Sequence, residues 1–236
     1  MNVFWVASGA VAALPAGTVL RGRVARLSVR GGEPDEMCCR ECAATLPGRP
    51  ALRCGHCRSW IGAPVAIELA TAAVLALLFA RIGFQPVVAA FAFVGALGVA
   101  LAQVDVAVQR LPDPLTLPGY PALIVLLTLA AAFTGAWQDL TRALLGGLAL
   151  GAAYLLLGLL SGGQLGGGDI KLAGLLGLLL GWAGWRALVT GASLGFVLAA
   201  VVGLVMLASR RISRRSMISF GPYMLAGAFL AVLTGR

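Results

Sequence analysis

The sequence predicts an all-α polytopic membrane protein with about eight transmembrane helices. Of its 236 residues, 60% are hydrophobic and only 11% are charged, whereas soluble domains carry about 25% charged residues. Apolar runs of about 20 residues, the length that crosses a bilayer as a helix, recur along the chain. The hydrophilic stretches between them are too short for a large soluble domain.

The apolar runs give the predicted helices near residues 3–20, 63–80, 86–103, 115–136, 143–160, 170–185, 187–208 and 220–233. The first run lacks a preceding basic segment and a small-residue cleavage site, so we interpret it as a retained helix and not as a signal peptide. The chain then divides into a first transmembrane helix (1–20), a Cys-rich loop domain (21–62) and a multi-helix membrane domain (63–236).

The formal charge of +9 is distributed in a way that indicates membrane topology and not nucleic-acid binding. Loops on the cytoplasmic side carry an excess of Lys and Arg. If the 21–62 loop is cytoplasmic, only four of the 18 basic residues fall on the opposite side: Arg81, Arg142, Arg186 and Arg236. We therefore predict that the 21–62 loop, Asp105 and Asp169 face the cytoplasm.

Two CxxC pairs stand in the first loop, with eleven residues between them: Cys39 and Cys42, then Cys54 and Cys57. Each CxxC turn points two thiolates at one ion, and sulfur ligands suit tetrahedral zinc. A metal would stabilise a loop that is too small for a core of its own. Disulfides, which the reducing cytoplasm disfavours, and free cysteines are the alternatives. Cys38 could replace Cys39, and we expect His56 to be a solvated loop residue.

Two acids stand at the boundaries of apolar helices on the predicted cytoplasmic side. Asp105 follows the third predicted helix, and Asp169 precedes the sixth, with Lys171 close by. An ionisable residue at the end of a membrane segment is a functional candidate, and Gly166 and Gly168 allow another backbone to approach closely. The alternative for Asp169 is an interfacial turn in which its side chain caps the following helix.

Two further acids allow a structural or a functional interpretation. Asp113 lies between Pro112 and Pro114, which is typical of a turn residue or a helix cap. Glu68 lies about one turn inside the second predicted helix, where a carboxylate needs a cationic partner. Glu68 is therefore either part of an ion pair near the membrane interface or a catalytic or ligand-binding group.

Two adjacent carboxyl groups can hydrolyse a peptide bond without a metal or a covalent intermediate. Close together they cannot both stay ionised, so their proton affinities separate. The ionised one draws a proton from water, and the protonated one polarises the scissile carbonyl. This chemistry requires Asp105 and Asp169 to share one water molecule. The pair titrates as a unit, so the sequence assigns the proton to neither residue.

The segment 166–172, Gly-Gly-Gly-Asp-Ile-Lys-Leu, resembles the GxGDxKL signature of the type IV prepilin peptidases, which are GxGD intramembrane aspartyl proteases. Val104 and Asp105, with 111–118 after them, resemble the segment that carries the first catalytic aspartate of that family. The two CxxC pairs and Glu68 resemble the amino-terminal domain of members that also methylate the new amino terminus.

The chain ends also resemble this family. Residues 17–20 with 26–27 are similar to its opening motif, and 220–223, Phe-Gly-Pro-Tyr, to its closing motif. There are two departures: Arg21 stands where the family usually has Asn, and Ala107 stands where some members have an acid. The first departure weakens the methyltransferase inference more than the protease inference.

The resemblance implies an endopeptidase of the bacterial cytoplasmic (inner) membrane that cleaves the basic leader of type IV prepilins and pseudopilins. Asp105 and Asp169 would be catalytic, facing the cytoplasm, and membrane lipid would surround the protein. The supporting residues would be Gly166, Gly168, Lys171, Asp113 and Glu68. The resemblance also implies methylation of the new amino terminus with S-adenosylmethionine, for which only Glu68 and the cysteine loop are candidates.

Two other classes of function use the same acids structurally. A small cation-coupled transporter would prefer acids deep inside its helices and often an internal repeat, and no repeat is detectable here. A scaffold of a secretion apparatus would use the cysteine loop to dock a partner. Detection of leader cleavage would separate both from a peptidase.

Overall fold

The computed structural model describes residues 42, 54–58, 66–162, 165–210 and 219–235. These residues form seven helices and no strand: α1 (Ala66–Ile82), α2 (Val88–Val108), α3 (Asp113–Thr134), α4 (Trp137–Leu160), α5 (Gly167–Ala183), α6 (Trp185–Ala208) and α7 (Gly221–Thr234). The prediction of an all-α fold is therefore confirmed for the described residues. The predicted helix at 3–20 lies outside them.

Among the described helices, four are long and apolar enough to cross a membrane: α2, α3, α4 and α6. The helices α1 and α5 have 17 residues each, and α7 has 14, which is shorter than the usual span of about 20. The chain is thus a multi-pass membrane protein, whereas the predicted total of about eight transmembrane helices is not confirmed.

The short helix α5 forms the centre of the protein. Every residue from Leu172 to Trp182 is buried. Its closest neighbour is α4, because a Cβ at Gly177 would lie 2.5 Å from the backbone oxygen of Gly146. Small residues of this kind allow helix backbones to touch in a membrane. The result is a rigid central helix whose first turn carries Asp169.

Several helix boundaries differ from those predicted. The helix α5 begins at Gly167 and not at 170, so Asp169 lies inside its first turn instead of before it. The helix α2 continues to Val108, so Asp105 lies in its last turn instead of beyond its end. The helix α3 begins at Asp113, with Pro112 in the cap position and Pro114 in its first turn, where a proline is tolerated because its missing N–H would have no partner. The helix α4 begins at Trp137, ahead of the predicted 143, since its first turn is polar and not apolar.

Candidate functional site

Asp105 is held at the point where the end of α2 meets the start of α7. Its side chain is buried, and its Oδ2 atom accepts a hydrogen bond from the Gly221 N–H at 3.0 Å. A Cβ at position 221 would lie 2.7 Å from the same oxygen. Only glycine lets the α7 backbone approach this closely, so Gly221 sets the orientation of the Asp105 carboxyl group.

Asp169 lies in the first turn of α5, where its N–H donates a hydrogen bond to the Gly166 carbonyl oxygen at 3.0 Å. Leu111 packs against the surroundings of both acids. Its Cδ1 atom would lie 3.3 Å from a Cβ at Gly168, the residue before Asp169, and 3.7 Å from a Cβ at Gly221, the hydrogen-bond partner of Asp105. The structure therefore brings the two predicted catalytic acids close together. The end of the helix bundle that holds Asp105, Asp169 and Gly221 is called the aspartate end below.

The glycines of the 166–168 segment have different surroundings. A Cβ at Gly168 would lie 2.7 Å from the Cβ of Leu111, and one at Gly166 would lie 3.3 Å from Oδ2 of Asp169. At Gly167 the same Cβ would meet nothing within 4 Å. The two glycines predicted to support the site are thus the two that are closely packed.

Lys171 and Asp113 form an ion pair between α5 and α3. The Lys171 Nζ atom donates a hydrogen bond to Asp113 Oδ1 at 2.6 Å, and both side chains are more than a third exposed. Asp113 is therefore the first residue of α3 and has an ionic partner. The prediction was a turn residue or a helix cap without such a partner. In the first turn of α3, its negative charge is also stabilised by the positive end of the helix dipole.

Tyr120 is a second link between α3 and α5, and sequence reasoning missed it. Its hydroxyl donates a hydrogen bond to the Lys171 carbonyl oxygen at 2.5 Å. The contact depends on Gly174, where a Cβ would clash with the Tyr120 hydroxyl oxygen. A single tyrosine between Pro118 and Pro121 was the available sequence signal, since a partly buried phenol in an apolar helix needs a hydrogen-bond partner.

Three aromatic side chains from separate parts of the chain pack together, and one of them, Phe220, directly precedes Gly221. The ring centroids of Tyr154 and Phe196 are 5.4 Å apart, and those of Phe196 and Phe220 are 5.2 Å apart. Tyr154 is buried, and a Cβ at Gly158, one turn further along α4, would lie 3.3 Å from Cδ1 of Ile170, the residue after Asp169. This aromatic cluster could not be predicted from the sequence, because nothing in the chain order indicates that α4, α6 and the residue before α7 meet.

Glu68 lies at the same end of the bundle as Asp105. It stands in the first turn of α1 and is partly buried. Its neighbour Ile67 packs with Val104, the residue before Asp105. The structure thus places Glu68 near the turn that carries Asp105.

Three of the four predicted metal ligands cluster in the cysteine loop. The sulfurs of Cys42, Cys54 and Cys57 all lie within 4.8 Å of one another, and those of Cys42 and Cys54 are 3.7 Å apart. Zinc binds sulfur at about 2.3 Å, which in a tetrahedron places two sulfurs about 3.8 Å apart. The His56 N–H donates to the Cys54 sulfur at 3.4 Å, as expected around a thiolate.

The chemistry of this cluster fits a metal ion, and three thiolates can hold one. Cys39, the fourth predicted ligand, lies outside the described residues, as does its alternative Cys38. The His56 side chain is exposed, in agreement with its predicted place as a solvated loop residue.

Comparison with known proteins shows the family of the chain. The sequence model of the type IV leader peptidase family matches residues 91–233, which is more than half of the chain. This match includes Asp105, Asp169 and Gly221. No solved structure matches the chain.

Several curated proteins named prepilin leader peptidase/N-methyltransferase are similar to this chain. The one from Pseudomonas putida is 37% identical over 141 residues, which cover 58% of this chain and 46% of that protein. The one from Pseudomonas aeruginosa is 32% identical, over 78% of this chain and 62% of that protein. The one from Burkholderia pseudomallei (strain 1026b) is 35% identical, over 78% of this chain and 59% of that protein. The chain thus spans about half to three fifths of the length of these relatives. Together with the family match, this similarity shows that the chain belongs to the type IV leader peptidase family.

Proposed function

We propose that this protein is an intramembrane aspartyl endopeptidase that removes the leader peptide of type IV prepilins or pseudopilins. The observation that carries the proposal is that Asp105, in the last turn of α2, and Asp169, in the first turn of α5, meet at one end of the bundle, where Leu111 packs against the surroundings of both. Membership of the leader peptidase family and the names of the relatives support the substrate class.

The proposed reaction needs one water molecule between the two carboxyl groups. The ionised aspartate takes a proton from this water, and the oxygen of the water attacks the scissile carbonyl carbon. At the same time the protonated aspartate gives its proton to the carbonyl oxygen. The tetrahedral intermediate then collapses, the C–N bond breaks, and the leaving nitrogen takes up a proton from the pair. The products are a leader with a free carboxyl group and a protein with a free amino terminus.

The surrounding residues orient this pair in the proposed mechanism. The Gly221 N–H occupies Oδ2 of Asp105, so we assign Oδ1 to the water. The Tyr120 and Asp113 contacts hold the first turn of α5 through Lys171, and thereby hold Asp169. A geometry set by rigid helix ends is what positioning of a nucleophilic water requires.

We further propose that the aspartate end faces the cytoplasm of a bacterial inner membrane, as the distribution of arginines predicts. The division into a first helix, a cysteine loop domain and a membrane domain belongs to the same proposal. Acids gathered at one end of the helices favour a peptidase over a cation-coupled transporter, and no contact in the described residues favours a scaffold.

The cysteine loop fits a structural zinc site, with Cys42, Cys54 and Cys57 as ligands and Cys39 as the fourth. Bound zinc would cross-link the loop. Methylation of the new amino terminus with S-adenosylmethionine is proposed from the names of the relatives, with Glu68 as a candidate residue. A protease without methyltransferase activity would have the same aspartate end.

The peptidase proposal is tested by incubating purified protein in detergent with a prepilin and following the mass of the product. We expect a leader-shortened product with the wild type and none with Asp105→Asn or Asp169→Asn. Asp139→Asn is the matched control, because Asp139 pairs with Arg142 in the first turn of α4, away from the aspartate end. Cleavage by Asp169→Asn at the wild-type rate would end the proposal.

A further inference from the structure

The opposite end of the bundle carries a groove that the peptidase chemistry does not use. It has a volume of about 810 Å³ and is lined by the ends of α1, α5 and α7 and the starts of α2 and α6. Asp105, Asp169 and Gly221 lie at the other ends of α2, α5 and α7. The groove is therefore remote from the aspartate end.

The lining of this groove combines positive charge with hydrogen-bonding groups. Arg81 and Arg186 lie on it together with Gln85, Thr190, Ser193 and Thr234, and no residue that lines it is acidic. Among the described residues, Asp139, in the first turn of α4, is the acid at this end of the bundle, and it pairs with Arg142. The groove thus offers two guanidinium groups to an anion.

Arg81 is fixed in place by the end of α7. Its guanidinium donates hydrogen bonds to the backbone oxygens of Leu233 and Gly235. These bonds use two of its five N–H donors, and its charge is not neutralised by a carbonyl. Arg186, in the first turn of α6, supplies the second charge.

The groove continues into an apolar cavity. The cavity has a volume of about 260 Å³, lies between α1, α2, α5 and α7, and is lined only by apolar residues. Phe91 and Val232 line both spaces, so the two adjoin. Along α2 the cavity runs from Phe91 to Ala102, a length of about 16 Å at the rise of an α-helix. This length matches the depth of one leaflet of a bilayer core, which is about 15 Å.

We propose that the groove and cavity together bind one anionic glycerophospholipid, with its phosphate at Arg81 and Arg186 and an acyl chain in the apolar cavity. A phosphate matches guanidinium donors in geometry and charge, and an acyl chain matches the apolar lining and its length. The predicted helix at 3–20 is the other apolar occupant to consider. It contains no acidic residue, so it would leave both arginines without a counter-charge.

The test is native mass spectrometry of the full chain in detergent, titrated separately with phosphatidylglycerol, phosphatidylethanolamine and inorganic phosphate. We expect one tightly bound phosphatidylglycerol, with weaker binding of the zwitterionic lipid and of phosphate. Arg186→Gln should weaken phosphatidylglycerol binding about fivefold, the contribution of one basic residue at a lipid surface. Arg210→Gln, which removes the same charge at the end of α6 away from the groove, should leave it unchanged.

Two further variants examine the cavity and the competing occupant. Ala102→Leu fills the apolar cavity and should weaken binding of both lipids, whereas its effect on phosphate should be nil. Equal phosphatidylglycerol affinity in the wild type and Arg186→Gln would overturn the proposal. Efficient disulfide formation between Ala10→Cys and Val197→Cys would also overturn it, because the first helix would then fill the groove.

Discussion

The Nζ atom of Lys171 lies 2.6 Å from Oδ1 of Asp113, and this ion pair joins the first turn of α5 to the first turn of α3. Lys171 follows Asp169 by two residues, so the ion pair restrains the segment that carries one of the two proposed catalytic acids. The Tyr120 hydroxyl binds the backbone of the same lysine. The start of α5 is thus tied to α3 through both a side chain and the main chain.

The ion pair is expected to position Asp169 without taking part in the reaction. Asp113→Ala should leave cleavage measurable, with a rate lowered about fivefold or less, because an exposed ion pair contributes about 0–1 kcal/mol. High salt should reduce the difference between the two proteins, since it screens the pair. The cleavage rate at two salt concentrations measures this, and complete loss of cleavage in Asp113→Ala would assign the residue a direct chemical role.

The three glycines before Asp169 should differ in their tolerance of a side chain. Gly168→Ala should lower the cleavage rate at least tenfold, because its Cβ would lie 2.7 Å from that of Leu111 and would displace the first turn of α5. A misplacement of this kind is costly for catalysis. Gly167→Ala is the matched control and should cleave at close to the wild-type rate, since its Cβ meets nothing within 4 Å. Equal rates for the two variants would show that packing on Leu111 is unimportant.

Gly221 should be required for the orientation of Asp105. In Gly221→Ala the new Cβ would lie 2.7 Å from Oδ2 of Asp105, so either the carboxyl group or the start of α7 must move and the 3.0 Å hydrogen bond is lost. We expect the turnover rate to fall more than tenfold while the Michaelis constant changes little. Gly151→Ala, whose nearest contact would be an ordinary 3.5 Å, should behave like the wild type in a kinetic assay. Unchanged turnover in Gly221→Ala would be inconsistent with this function.

The cysteine loop should hold one zinc ion per chain. Cys54→Ser should lose most of this metal and Cys42→Ser should do the same, because each removes one of the clustered thiolate ligands. His56→Ala should keep the full metal content, since the His56 side chain is exposed and four sulfurs complete the predicted site. Elemental analysis of the purified variants measures the ratio, and undiminished metal in Cys54→Ser would refute the ligand set.

Much of the site was predictable because its chemistry is local in the chain. An acid at the end of an apolar run stands out, so Asp105 and Asp169 could be found without a structure. The paired CxxC turns stand out for the same reason. In contrast, the contacts of Tyr120 with Lys171 and of Tyr154 with Phe196 join distant segments, and no local pattern indicates them.

The sequence by itself determined that the chain is helical and membrane-embedded, which acids stand at helix boundaries, and which cysteines can share a metal. These properties follow from hydropathy, residue type and spacing, which are read along one dimension. Only the tertiary structure decided that Gly221 donates to Asp105, that Lys171 pairs with Asp113, and that an arginine-lined groove adjoins an apolar cavity. Each of these depends on how helices pack, and helix packing is set by side-chain shape over long sequence distances.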